Sequence, residues 1–194
     1  MTRHMRNSQI TPVTDAKLAL QALKDGNKRF VEGKPSPKDD NKDRVETINT
    51  QKPYAIILAC ADSRCAPEIF FDTKIGDLFV LRNAGNYATT VELGSMEFAT
   101  AVLGAPLIVV VGHTNCGAVN TAFDKATGLP SQLQCVIDNI KPGVAGCSDY
   151  ATATEANTKA VVDIIKANET IKAQGTMILG SYYDFNTGEV TFFE

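Results

Sequence analysis

Six residues, CADSRC from Cys60 to Cys65, crowd two thiols, a carboxylate and a guanidinium into one short stretch. A second stretch, HTNCG from His113 to Gly117, adds an imidazole and a third thiol. Thiolate and neutral imidazole are the ligands that zinc takes in proteins. His113 and Cys116 lie three residues apart, a spacing that lets both side chains reach one ion from a strand-to-helix turn. A third ligand from CADSRC would complete a Cys2His set, which in catalytic zinc sites leaves a fourth position open. Cys60 is the natural third ligand because it stands at a strand end, and Cys65 is the competitor. If both bound, the site would be closed and structural. Spacing alone leaves that choice open.

The two segments each follow an apolar run, YAIILA and PLIVVVG. Both runs are continuously apolar rather than alternating, as in strands of a parallel sheet covered by helices on both faces. DLFVL supplies a strand between them. In open parallel sheets, ligand chemistry gathers beyond the carboxyl ends of the strands. CADSRC and HTNCG are therefore expected to meet in space although about fifty residues separate them.

Around these strands the pattern is helical. Thr14 or Asp15 is placed to cap a helix through AKLALQALKDGNKRF, with Ala16, Ala19, Leu20 and Leu23 on one face and Phe30 further along it. GKPSPKDDNKD reads as a loop, followed by a short helical piece. VELGSMEFATAVLG and TEANTKAVVDIIKANETIKAQ have helical length and spacing. GTMILGSYYDF and EVTFF form a hairpin or a terminal extension. The expected class is α/β, with a mainly parallel central sheet flanked by helices and an N-terminal helical arm. One domain is expected over residues 1–194, with 1–50 as tail and arm and 51–194 as the core.

Composition bounds the function. An apolar fraction of 44% and a charged fraction of 21% are those of a soluble globular protein. A net charge of -3 argues against nucleic acid or an anionic membrane as the main partner. No apolar run approaches the ~20 residues of a bilayer span. The opening MTRHMRNSQITPVTD is polar, without an apolar signal core, so a cytoplasmic address is expected. Five cysteines, an odd number at uneven spacing, do not form a secreted disulfide framework. Cys135, in the helical stretch LPSQLQCVIDNI, is expected in the core. Cys147 lies in a Gly-rich loop and receives no role. Asn83, Gly85 and Asn86 are expected to shape a tight turn.

CADSR followed by HTNCG resembles the β-class carbonic anhydrase signature, Cys-x-Asp-x-Arg with His-x-x-Cys. The likeness extends through APEIFFD, DLFVLRNAGN, VELGSMEFATAVLG and SYYDFNTGEVTFF, and so covers most of the chain from about Gln51 onward. LALQALKDGNKRF resembles the family's leading helix. Carried over by position, the resemblance makes Cys60, His113 and Cys116 the ligands of one Zn²⁺ per chain, with Asp62 and Arg64 as a dyad beside it. Cys65 falls where the family varies and is expected to be a buried thiol.

The activity implied is reversible hydration of CO₂ to bicarbonate and a proton by metal-bound hydroxide. Asp62 would accept the hydroxide's hydrogen bond, and Arg64 would keep Asp62 ionised and off the metal. Two thiolates cancel the charge of Zn²⁺, so its water should ionise less readily than at a three-histidine site, where the pKa is about 7. Activity should then rise toward alkaline pH. The resemblance also assigns Gln51, Phe79 and Ala84 to the substrate pocket, Gln51 often acting across a dimer interface. Phe98 stands where plant-type members carry a tyrosine, and it lacks the hydroxyl. Ile57 replaces the tryptophan of bicarbonate-regulated members, so that regulatory pocket is not expected. A resting state with Asp62 on zinc stays open.

The implied partners are CO₂ and bicarbonate, and a second copy of the chain in a homodimer built partly from the N-terminal helices. Pairing into a homotetramer is a further option. Only His4 and His113 could serve as histidine shuttles; His113 is a ligand and His4 lies in the tail, so Asp62, water and buffer remain for proton release. Two other readings stand beside this one. A related zinc hydrolase would act on another small linear molecule such as carbon disulfide. A non-catalytic zinc-stabilised binding protein would have Cys65 closing the metal site.

Overall fold

The computed structural model describes residues 14–193. Helix α1 (Ala16–Val31) begins at Asp15, whose carboxylate accepts hydrogen bonds from the Lys17 and Leu18 N–H groups. It buries Ala19 and Leu23, with Leu20 and Phe30 packed beside them. Helix α2 (Asp40–Glu46) begins inside the stretch expected to be a loop. Asp39 caps it through the Lys42 N–H, and Asp40 and Asp43 place negative charge in its first turn.

Strand β1 (Ala55–Cys60) leads through the short helix α3 (Pro67–Phe70) to strand β2 (Leu78–Asn83). Helix α4 (Thr90–Ala101) starts with a capping box between Thr89 and Glu92 and leads to strand β3 (Leu107–His113). Helix α5 (Gly117–Phe123), helix α6 (Ser131–Ile140) and a 3₁₀ turn (Lys141–Val144) follow. The long helical stretch expected near the C-terminus divides into helix α7 (Tyr150–Lys166) and helix α8 (Glu169–Ala173). Asn168 causes the break. Its side chain accepts from the Ile171 N–H and donates to Glu97, which caps a new helix instead of extending the old one.

Strands β4 (Met177–Tyr183) and β5 (Val190–Phe193) pair antiparallel, so the hairpin option holds. The sheet order is β2-β1-β3-β4-β5, and every pair except the last is parallel. This is the expected mainly parallel α/β sheet with helices on both faces.

The two faces of β1 and β3 are both dry. Ile57 and Val109 point to the face covered by α1 and α3, together with Cys65, Phe70 and Phe71. Ile56, Leu58, Ile108 and Val110 point to the face covered by α4, α7 and α8. Burying each such side chain stabilises the fold by roughly 1.5–3 kcal/mol. A third cluster closes the carboxyl end of the sheet, where Cys60 and Cys116 meet Val119, Ile137, Ile140 and Ala153. Gly112 permits this closure, because a Cβ there would lie 2.5 Å from Thr158 Oγ1 on α7.

Cys135 is a correction. It is exposed rather than in the core, because α6 turns Ile137 and Ile140 inward and Cys135 points to the opposite side of the helix.

Candidate metal centre

Strand β1 delivers Cys60 and strand β3 delivers His113 at their carboxyl ends; Cys116 stands at the start of α5, three residues beyond. All three are buried. Their ligand atoms lie within 4.8 Å of one another, the one such group of three among the described residues. The two sulfurs are 3.9 Å apart. Two thiolates at about 2.3 Å from a tetrahedral zinc stand about 3.8 Å apart, so this spacing fits the ion.

The imidazole is oriented for the same task. His113 Nδ1 lies 3.0 Å from the Thr114 carbonyl oxygen and donates to it, which leaves the Nε2 lone pair free. Nε2 is buried and has no hydrogen-bond partner among the described residues. A buried acceptor without a donor is costly in a finished core and is what a cation would satisfy.

The thiols are arranged for charge. The Cys116 thiol at hydrogen-bond distance, with the backbone N–H groups of Gly85 and Asp62, holds the Cys60 thiol well below its ordinary range despite its burial. Hydrogen bonding to Cys60, then burial, pushes Cys116 up. The two sulfurs thus share one proton, which a metal ion would displace. Gly85 reaches Cys60 Sγ with its N–H at 3.4 Å. It does so at φ +84, and a Cβ there would strike Ile140, so only glycine fits. Asn157 on α7 holds the same turn through the Gly85 carbonyl. Asn83 braces it through Tyr87, and Asn86 sits at φ +44, as expected of this segment.

Asp62 and Arg64 form a two-pronged pair. Arg64 Nε donates to Asp62 Oδ1 at 3.0 Å and Nη2 donates to Oδ2 at 2.8 Å, with the Arg64 backbone N–H a third donor to Oδ1. These bonds hold the Asp62 carboxyl well below the usual carboxylate range.

Cys65 is fully buried but joins a different cluster, with Ala59, Phe70 and Phe71 on the α1 face of the sheet. Burial and the nearby Cys60 push its thiol up to about 12. It is the expected buried thiol and lies outside the Cys60–His113–Cys116 group.

The substrate-pocket residues are not brought together within one chain. Ala84 adjoins Gly85 and is exposed beside the centre. Gln51 is exposed before β1, about 20 Å away along the strand at its opposite end. Phe79 pairs with Ile56 near the start of β2, its ring 6.4 Å from that of Phe98, which is 46% exposed. Ile57 is fully buried on the α1 face. His4 lies outside the described residues.

Sequence reasoning missed three contributors. Arg82, exposed on β2, donates to the carbonyls of Cys60 at 3.0 Å and Asp62 at 2.6 Å, fixing the end of β1. A lone charge near the end of an otherwise apolar strand was its signal. Thr114 accepts from the Phe185 N–H and donates to Asp184, tying the metal turn to the β4–β5 hairpin. Phe185 stacks on His113 with centroids 4.9 Å apart. Nothing local in the sequence marks either residue.

Comparison with known proteins agrees with this geometry. The family model described as carbonic anhydrase matches residues 55–190. Carbonic anhydrase 2 of Mycobacterium tuberculosis H37Rv is 38% identical, covering 91% of this chain and 92% of its own. A solved β-carbonic anhydrase, CcaA, is similar with a TM-score of 0.69 and 26% identity, covering 90% of this chain and 95% of its own. A tetrameric β-carbonic anhydrase of Sordaria macrospora shares the fold with a TM-score of 0.69 at 23% identity, covering 76% and 84%.

Proposed function

The chain belongs to the β-class carbonic anhydrase family, and on that premise we propose that it hydrates CO₂ reversibly to bicarbonate and a proton with one zinc ion per chain. The observation that carries this reading is the buried trio of Cys60, His113 and Cys116, with sulfurs 3.9 Å apart and an imidazole Nε2 that has no hydrogen-bond partner among the described residues. These three residues would hold the ion. When bound, zinc would supply a Lewis acid that makes water a nucleophile far more readily than in bulk solution.

The remaining steps belong to the chain's own groups. Asp62, kept ionised by Arg64, can only accept hydrogen bonds. It takes one from the attacking oxygen and so turns that oxygen's lone pair toward the carbon of CO₂. The same pairing makes Asp62 a poor proton acceptor. His113 is the one histidine among the described residues and is committed to the ion, so the proton leaves through water and buffer.

Gln51 and Phe79 contribute to the substrate pocket only from a second copy, since each lies toward the amino end of its own sheet. Exposed Val45, Ile48, Ile69 and Ile75 give such a homodimer an apolar surface to bury near that end. The S. macrospora relatives are described as tetrameric, which supports further pairing. Among the described residues no helix is long and apolar enough to cross a membrane.

The test is stopped-flow CO₂ hydration on zinc-replete protein at neutral and mildly alkaline pH, with Cys60→Ser as control. Hydration that rises with pH and vanishes in the control supports the reading. Zinc-loaded protein that hydrates no CO₂ at either pH refutes it.

A further inference from the structure

Arg64 holds Asp62, but its side chain is 59% exposed. An exposed ion pair ordinarily holds its partners loosely, since water competes for both and the long side chain loses freedom. A dyad meant to aim one oxygen lone pair needs more restraint than that. The restraint comes from the C-terminal hairpin. The Arg64 guanidinium carbon sits 4.4 Å from the centroid of the Phe185 ring. The same ring stacks on His113, with centroids 4.9 Å apart and planes 29° from parallel.

Phe185 is itself fixed. Its N–H donates to Thr114 Oγ1 at 3.1 Å, one residue beyond His113. Its ring meets Tyr183 edge-on at 5.3 Å, and Tyr183 stacks on core Phe70 at 4.3 Å. A column of rings therefore runs from the buried core to the guanidinium.

The geometry points to Phe185 as a positioning residue that holds the Arg64 guanidinium against Asp62 by cation–π stacking, with the ring anchored on His113 and the core. This rests on the dyad's role in CO₂ hydration, and it assigns specificity of geometry to a residue that touches neither the substrate nor the ion.

The test uses the zinc-loaded full chain carrying Phe185→Leu, with Phe185→Met as a second ringless variant and Phe185→Tyr as the variant that keeps the ring. The first readout is the Arg64 Nε–H signal in ¹⁵N-resolved NMR, identified by its loss in Arg64→Lys. Wild type and Phe185→Tyr should show a resolved, slowly exchanging signal. The ringless variants should exchange it roughly tenfold faster, and their kcat/KM should fall roughly tenfold, the usual order for a supporting contact. Zinc loss to a chelator should change little. The loss of kcat/KM should vanish in an Arg64→Ala background, where the ring has nothing left to hold. An unchanged Arg64 signal in the ringless variants, or the same loss in both backgrounds, overturns the proposal. Faster zinc loss with an unchanged Arg64 signal overturns it too, by placing the ring's effect at His113. The NMR readout needs no turnover, so protein that hydrates no CO₂ would refute the function while leaving this test intact.

Discussion

Asp72 and His113 are both buried polar groups at the ends of the sheet, one on the amino side and one on the carboxyl side. Asp72 is completed by the protein. Arg29 Nε donates to Oδ2 at 2.6 Å, the Ser36 N–H donates to the same oxygen at 2.9 Å, and the Lys38 ammonium lies 2.9 Å from Oδ1 as an ion pair without aligned hydrogen-bond geometry. His113 is left incomplete. Its Nε2 faces two sulfurs and has no hydrogen-bond partner among the described residues. Burial and charge are common to both places, so neither identifies a site. What separates them is whether the chain itself supplies the last partner. Asp72 ties α1 and the following loop to the turn before β2, and the carboxyl-end trio is built to take something from outside.

The largest effect that could break this contrast is expected at Cys60. Cys60→Ser should lose zinc and reduce CO₂ hydration by about a thousandfold or more, while the metal-free protein unfolds at nearly the wild-type temperature. Metal analysis and stopped-flow kinetics check the first part, and calorimetry of the apo forms the second. Next comes Asp62→Asn, expected to keep zinc yet lower kcat/KM by roughly 10–100-fold, because the amide is no longer restricted to accepting.

Asp72→Ala should do the reverse of Cys60→Ser. It strands Arg29 and Lys38 and should cost about 2–3 kcal/mol of stability, read by urea unfolding, with kcat/KM per folded molecule unchanged. The same carboxylate sets an acid limit. Burial alone would raise its pKa, but Arg29, Lys38 and Ser36 prevail and hold it well below the usual range. Its folded value is thus below the unfolded value of about 3.9, so its stabilisation is complete above that pH and is lost as pH falls below about 4. Asp72→Asn should flatten that part of the stability–pH curve. The smallest effect is expected at Cys65. Cys65→Ala should leave zinc content and activity intact and cost only about 1 kcal/mol, since the lost sulfur packs in the α1-face core.

Much of this was legible in the chain. The continuous apolar runs fixed β1 and β3 as doubly covered strands, and the reactive residues directly after them had to share the carboxyl end of the sheet. Cys60, His113 and Cys116 were readable because each stands at a strand end or in the turn beyond it. The elements that escaped depend on contacts across the fold. Asn168 broke a helix whose periodicity continued, because its side chain found both Glu97 and a backbone N–H. Cys135 looked like core as a small apolar residue in a helical stretch, but the direction of α6 was set by Ile137 and Ile140. Phe185 reaches the site from a segment far from CADSRC in sequence, and no local pattern encodes that approach, whereas Arg82 left only the trace of a lone charge near the end of an apolar strand. Gln51 was placed in the pocket by resemblance, and the single chain sets it at the far end of β1.

The most direct test of the central claim is zinc-edge X-ray absorption on the wild-type protein, beside Cys60→Ser and Cys65→Ala. Zinc held by Cys60, His113 and Cys116 predicts two sulfur scatterers near 2.3 Å and one imidazole in wild type and Cys65→Ala alike, with the two-sulfur signature lost in Cys60→Ser. Three sulfurs in wild type falling to two in Cys65→Ala would contradict the account, placing Cys65 on the metal and closing the site.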